Sequence, residues 1–150
     1  MKLLASLALT LAVAGSAQAA APLSVSGAWS RPAVAGTNGV GYLVVANTGK
    51  ASDALVGVES PLAAKVEMHS SSMAGGVMSM KKEDRVPVPA GGKATFGPGG
   101  YHLMLIGLTR TVKAGDQIPA TLTFASGAKL KASFAVGMGP ANPAMGPMRH

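Results

Sequence analysis

The chain has no cysteine among its 150 residues. Disulfide bonds are therefore excluded, and so are thiolate metal sites of the blue-copper and iron–sulfur kinds and catalysis by a cysteine nucleophile. The fold has to be stable through its hydrophobic core alone. In an oxidising compartment, thioether and imidazole groups remain available as soft metal ligands, because disulfide formation does not consume them.

Aromatic and acidic residues are also scarce. Aromatic residues make up 4% of the sequence, and 6 acidic residues stand against 13 basic ones, which gives a formal net charge of +7. The basic residues are scattered singly, apart from Lys81 and Lys82, and aromatic residues do not alternate with them. We therefore do not expect a nucleic-acid partner; the charge favours solubility and weak attraction to an acidic partner.

Long apolar runs are absent outside the N-terminus. Residues 3–13 are apolar but too short to span a bilayer; Lys2 precedes them, and Ala-Gln-Ala at 17–19 follows. This pattern predicts a signal peptide over residues 1–19, cleaved after Ala19, and a periplasmic protein without a membrane span. A lipoprotein is not expected, because a lipobox needs a cysteine. The remaining chain suits one domain, residues 20–136, followed by a flexible tail, residues 137–150, rich in glycine, proline and methionine.

The domain is predicted to be all-β. Short apolar and β-branched runs recur every ten or so residues, with turn-forming residues between them, and no segment has a convincing helical period. Regularly spaced short strands favour an antiparallel sandwich or barrel. The predicted strands cover residues 23–29, 40–47, 54–60, 65–69, 77–81, 85–88, 93–96, 101–106, 117–124 and 129–136.

Four soft side chains form the main candidate site. His69, Met80, His102 and Met104 follow the spacing H-x10-M-x21-H-x-M. Two imidazoles and two thioethers suit Cu(I) better than a hard cation or Zn(II). Because only the histidines compete with protons, binding is expected to weaken below about pH 6.5.

The strand pattern makes it plausible that these side chains meet. His102 and Met104 lie two residues apart in one predicted strand and so share a face. His69 is predicted at a strand end, a loop over residues 70–76 follows, and Met80 lies on the next strand of that hairpin. The competing interpretation is that methionines fill a core, which fits Met68.

At these residues the chain resembles the periplasmic copper chaperones called PCuAC. All four positions match the motif of that family, and the resemblance extends from about residue 25 to residue 136. The matching segments are AWSRP (28–32), GY (41–42), NTG (47–49), VEMH (66–69), GVMSM (76–80), VPAGG (88–92) and PGGYHLM (98–104).

The resemblance implies a cupredoxin-like Greek-key antiparallel β-sandwich that binds one Cu(I) through His69, Met80, His102 and Met104. It also implies delivery of copper to cytochrome c oxidase assembly, together with Sco-type proteins, and no enzymatic activity. Family members often bind a second copper in a tail. The counterparts in this chain are Met138, Met145, Met148 and His150.

Other functions remain open from the sequence. The same site could sequester copper for tolerance, without delivery. A copper enzyme is disfavoured, because redox copper sites usually need several histidines and this chain has 3. A metal-free structural sandwich would leave the four side chains scattered in space. We expect a monomer.

Overall fold

The computed structural model describes residues 22–140, which contain ten strands and no helix. The strands are β1 (Leu23–Ser30), β2 (Gly39–Asn47), β3 (Asp53–Glu59), β4 (Ala63–Ala74), β5 (Val77–Glu83), β6 (Val86–Val88), β7 (Lys93–Phe96), β8 (Tyr101–Leu108), β9 (Gln117–Phe124) and β10 (Lys129–Val136). The all-β prediction is confirmed. No helix within residues 22–140 could therefore cross a membrane. The predicted signal peptide and residues 141–150 of the predicted tail lie outside the described residues.

Most strands follow from alternation in the sequence. In β9, for example, Ile118, Ala120, Leu122 and Phe124 are buried, while the residues between them are partly or fully exposed. A side-chain period of two places these apolar residues on one face of the sheet, where burial stabilises the strand.

Eight strands form one closed, barrel-like sheet in the order β4-β8-β7-β2-β1-β10-β9-β3. The ring closes where β3 pairs with β4 at Val58 and Val66. Strands β5 and β6 extend the sheet beyond the ring, beside β4 and β3 respectively. Of the two expected architectures, the single closed sheet corresponds to the barrel. The expected antiparallel arrangement is broken where β1 pairs with β10 and β7 with β8, because both pairs are parallel. The cupredoxin-like Greek-key sandwich stays a prediction.

The only tryptophan does not belong to the main core. Trp29 is buried, but it stacks on Tyr42 with ring centroids 4.8 Å apart, and neither ring is part of the main hydrophobic cluster. An irregularity in the pairing of β1 with β2, between Ser26 and Trp29, shifts the register there. The guanidinium of Arg31 lies 6.0 Å from the Trp29 ring and covers this pair.

A turn outside the site is tied to the sheet by Asp53. Its carboxylate accepts hydrogen bonds from the backbone N–H and the side chain of Ser126, in the turn between β9 and β10.

The hairpin of β4 and β5 is longer than predicted. The loop expected over residues 70–76 is wrong, because β4 continues to Ala74 and pairs with Val77 across a two-residue turn. Gly75 and Gly76 have φ values of +58° and +78°, which suits a type I′ turn and matches the twist of the strands. His69 therefore lies inside a strand and not at its end.

Candidate metal centre

The pairing register places the four candidate ligands on one face of β5, β4 and β8. His69 in β4 lies directly opposite His102 in β8, and Glu67 lies opposite Met104. On the other side of β4, Ser71 lies opposite Met80 in β5. Since directly paired residues share a face, and residues two apart share it too, all four point to the same side.

This side is the outer face of the sheet. The alternating neighbours Met68 and Leu103, which also lie opposite each other, are buried in the core. The strand alternation thus separates the candidate ligands from the side chains that stabilise the fold.

The two histidines are close together and each has one nitrogen without a partner. Their ring centroids are 5.7 Å apart. Nε2 of His69 is 2.9 Å from Oε2 of Glu67, and Nδ1 of His102 is 3.2 Å from the carbonyl oxygen of Gly100. Nδ1 of His69 and Nε2 of His102 are buried with no hydrogen-bond partner among the residues described.

These contacts favour the tautomers that a metal needs. If Nε2 of His69 donates to Glu67 and Nδ1 of His102 donates to Gly100, the other nitrogen of each ring carries a free lone pair. A hydrogen bond from the distal nitrogen to a carboxylate or a backbone carbonyl is the usual way in which a metal-ligating histidine is oriented. Two buried lone pairs are costly in the absence of a partner and available to a soft cation.

Glu67 is held as a carboxylate. The hydrogen bond from His69, followed by the contact with Lys65, lowers the pKa of Glu67 to about 2. Lys65 lies 3.1 Å and Lys82 3.7 Å from Oε1. The alternation Lys-x-Glu-x-His puts Glu67 on the strand face of His69, but a role as the hydrogen-bond partner of that ring does not follow from the sequence.

An open cavity of about 500 Å³ borders this face. Its lining includes three of the four candidate ligands, Met80, His102 and Met104, together with Met78. His69 is not part of the lining; it lies beside His102. The lining also includes Tyr42 of β2 and Arg31, which directly follows β1, so β2 and the segment after β1 border the site as well.

The composition of this site distinguishes between classes of metal. Within residues 22–140 there is no group of three or more His, Cys, Asp or Glu side chains that could hold a metal ion. What the outer face offers is two imidazole nitrogens and thioether sulfurs, a set that suits Cu(I). The assignment of His69, Met80, His102 and Met104 as ligands stays a prediction.

The tail site is mostly beyond the described residues. Met138 is 88% exposed and does not line the cavity. Met145, Met148 and His150 lie outside the described part of the chain.

Comparison with known sequences identifies a family and a relative. The model of the family described as "Putative lipoprotein LpqE-like" matches residues 23–136. A protein of Leifsonia xyli subsp. xyli, described as "Putative lipoprotein", is 33% identical over 106 residues, which are 70% of this chain. The match covers 63% of the length of that relative.

Solved structures with the same fold are PCuAC domains and a protein of Deinococcus radiodurans. The copper-bound PCuAC domain from PmoF2 superposes with a TM-score of 0.63 at 24% identity, over 77% of this chain and 92% of its own. Apo-DR1885 from Deinococcus radiodurans is 28% identical, with a TM-score of 0.56, over 91% of this chain and 93% of its own. The Cu(I) form of DR1885 is 29% identical, with a TM-score of 0.56, and the match covers 75% of this chain and 77% of the DR1885 chain.

Proposed function

This chain belongs to the LpqE-like family, and on that premise we propose that it is an exported copper chaperone that binds one Cu(I) and passes it on. The observation that carries the proposal is the pair of buried, unpartnered nitrogens, Nδ1 of His69 and Nε2 of His102, on adjacent strands. Met80 and Met104 add thioethers on the same face. This donor set is soft and, with neutral imidazoles, uncharged.

The site is suited to transfer of its cargo. His102 is 6% exposed, whereas Met80 is 57% exposed and lines an open cavity. A buried imidazole can hold the ion while an exposed thioether is displaced by a ligand of the acceptor. Exchange of ligands one at a time avoids releasing free Cu(I), and it requires no catalysis. We accordingly propose that the protein is not an enzyme.

The comparisons support a copper function and export. The similar structures include a copper-bound PCuAC domain and the Cu(I) form of DR1885, and both the family and the Leifsonia relative are described as putative lipoproteins. These 150 residues contain no cysteine for a lipid to be attached to, so we propose a periplasmic protein with a cleaved signal peptide. We retain the cupredoxin-like sandwich, delivery to cytochrome c oxidase assembly with Sco-type proteins, and a second copper in the tail as parts of the proposal.

An anaerobic competition titration of Cu(I) against a chromophoric chelator tests the site. We expect one tight equivalent in the wild-type protein and in His150→Ala, and its loss in His102→Ala. A wild-type protein that competes no better than His102→Ala would refute the proposal. Tight binding that disappears in His150→Ala would move the site to the tail.

A deletion strain separates delivery from sequestration. Loss of cytochrome c oxidase activity at low copper, restored by the wild-type gene but not by His102→Ala, is the outcome expected for delivery. Sensitivity confined to high copper would indicate sequestration instead.

A further inference from the structure

Two methionines near the tip of the β4–β5 hairpin are explained neither by the core nor by the four candidate ligands. Met73 is 69% exposed and Met78 is 60% exposed. Exposed methionines gain little from burial and are vulnerable to oxidation, so their position needs another reason.

The register connects these two residues to the copper site. Met73 in β4 lies directly opposite Met78 in β5, which places their Cβ atoms about 4.5–5.5 Å apart. Met78 is two residues from Met80 and so shares its face. From the turn inwards, this face carries the pair Met73 and Met78, then Met80 opposite Ser71, and then His69 opposite His102.

The cavity provides the second connection. Met78 lines it together with Met80, His102 and Met104, although it is nearer to the turn than any of them. One continuous surface thus leads from the exposed end of the hairpin to the buried imidazole of His102. All the methionine side chains along it offer an uncharged thioether.

We propose that Met73 and Met78 form a second, weaker thioether pair for Cu(I), through which the ion enters and leaves the four-ligand site. The inference rests on the proposed function and adds to it a route for the cargo. Each step is an exchange of ligands: a bond from copper to the sulfur of Met78 forms as a bond to Met80 breaks. Copper remains Cu(I), and neither electrons nor protons are transferred.

Two thioethers bind Cu(I) less tightly than two thioethers with two imidazoles. The pair therefore accelerates exchange without competing for the ion at equilibrium. Removing it should change the rate of transfer and leave the affinity of the four-ligand site intact.

The first test is the rate of Cu(I) transfer from the loaded full-length protein to a chromophoric chelator, followed by anaerobic stopped flow. In Met73→Leu/Met78→Leu, which keeps the apolar volume, we expect the rate to fall about tenfold. The affinity from competition titration should stay within about twofold. The matched control is Val77→Ala, which alters a 67% exposed apolar residue at the same tip without removing a thioether.

The second test uses Ag(I), a soft and redox-inert probe, with NMR of the methionine ε-methyl groups. The first equivalent should shift the Met80 and Met104 signals, and further Ag(I) should shift Met73 and Met78. Absence of the first shift would count against the proposed function itself. Normal shifts of Met80 and Met104, with Met73 and Met78 unmoved and transfer unchanged in the double variant, would overturn only the route. If Val77→Ala slows Cu(I) transfer to the same extent as the double variant, the tip acts as an apolar surface. That result would also overturn the thioether route.

Discussion

At the scale of single residues, His102 and Leu103 show how one strand serves both the site and the core. Leu103 is fully buried in the core, and His102, on the opposite face, is 6% exposed. Its unpartnered Nε2 costs about 1–3 kcal/mol of stability in the copper-free protein. The candidate site thus lowers the stability of the apo fold, and a metal ion bound to this nitrogen would recover it.

Substitution of His102 should therefore affect the stability of the apo protein much less than substitution of Leu103. We expect His102→Leu to change the free energy of unfolding by less than about 1 kcal/mol, because it removes an orphaned nitrogen along with the hydrogen bond to Gly100. Leu103→Ala should cost about 2–5 kcal/mol through the cavity it leaves. Urea unfolding with and without Cu(I) checks this: stabilisation by copper should vanish only in His102→Leu. Equal destabilisation of the apo proteins would mean that His102 is a structural residue.

Glu67 is the second residue whose function can be isolated. Glu67→Ala removes the acceptor of the His69 hydrogen bond and should weaken Cu(I) affinity by about 10–100-fold, because the ring is no longer oriented. Glu67→Gln keeps an acceptor oxygen for the His69 hydrogen bond and should weaken Cu(I) affinity less. Competition titration measures both. Lys65→Gln, which removes a 62% exposed contact to the same carboxylate, is the control and should leave affinity nearly unchanged.

At the scale of elements, the strands with one buried face could be predicted from the sequence. Strands β7, β9 and β10 have the predicted bounds, since alternating apolar residues mark their buried faces. The end of β4 could not be found in this way. Residues 70–74 are Ser-Ser-Ser-Met-Ala, partly or fully exposed, and β5 is almost wholly exposed. Their strand character comes from the backbone ladder and the turn, and the pair Gly75-Gly76 was the one available indication.

A substitution in the Gly75–Gly76 turn should affect metal binding at the candidate centre more than the packing of the core. Gly76→Ala places a side chain at φ +78° with no atom within 4 Å of the new Cβ, so its cost is backbone strain of about 1–2 kcal/mol. Because the hairpin positions Met80, we expect weaker Cu(I) binding and faster amide exchange confined to β5. Gly127→Ala, at φ +89° in the turn between β9 and β10, has similar strain away from the site. It should lower stability without changing copper affinity. A loss of affinity in Gly127→Ala would show that the effect of Gly76→Ala is not specific to the hairpin that carries Met80.

At the scale of the whole molecule, the closure of the sheet brings the site together. Strands β4 and β8 carry three of the four candidate ligands, while β2 and the segment that follows β1 supply other parts of the cavity lining. The pairings of β3 with β4 and of β1 with β10 have no local indication in the sequence. They depend on how the apolar faces pack, which a strand-by-strand interpretation does not specify. The shared face of His102 and Met104 could be predicted, whereas the position of His69 opposite His102, the cavity and the contact of Glu67 with His69 required the fold.

Two carboxylates, Asp53 and Glu67, should make the stability of this closed sheet depend on acid pH. Asp53 links β3 to the β9–β10 turn, and Glu67 contacts side chains of its own strand and of the neighbouring β5. The hydrogen bond from the Ser126 side chain is the largest cause that lowers the pKa of Asp53 below its usual 3.8, and that of Glu67 falls from 4.5 to about 2. Both folded-state pKa values lie below the unfolded ones. Their contribution is therefore complete above about pH 4.5 and is lost as the pH falls towards 2.

Urea unfolding of the copper-free protein between pH 5 and 2 measures this loss. Asp53→Asn should flatten the decline in stability over this range, because the variant has no proton to take up there. Ser126→Ala removes the main donor and should flatten it as well, and the double variant should add little to either change, since both remove the same interaction. Additive effects of the two substitutions, or an unchanged slope in Asp53→Asn, would show that the link between β3 and the β9–β10 turn does not determine acid stability.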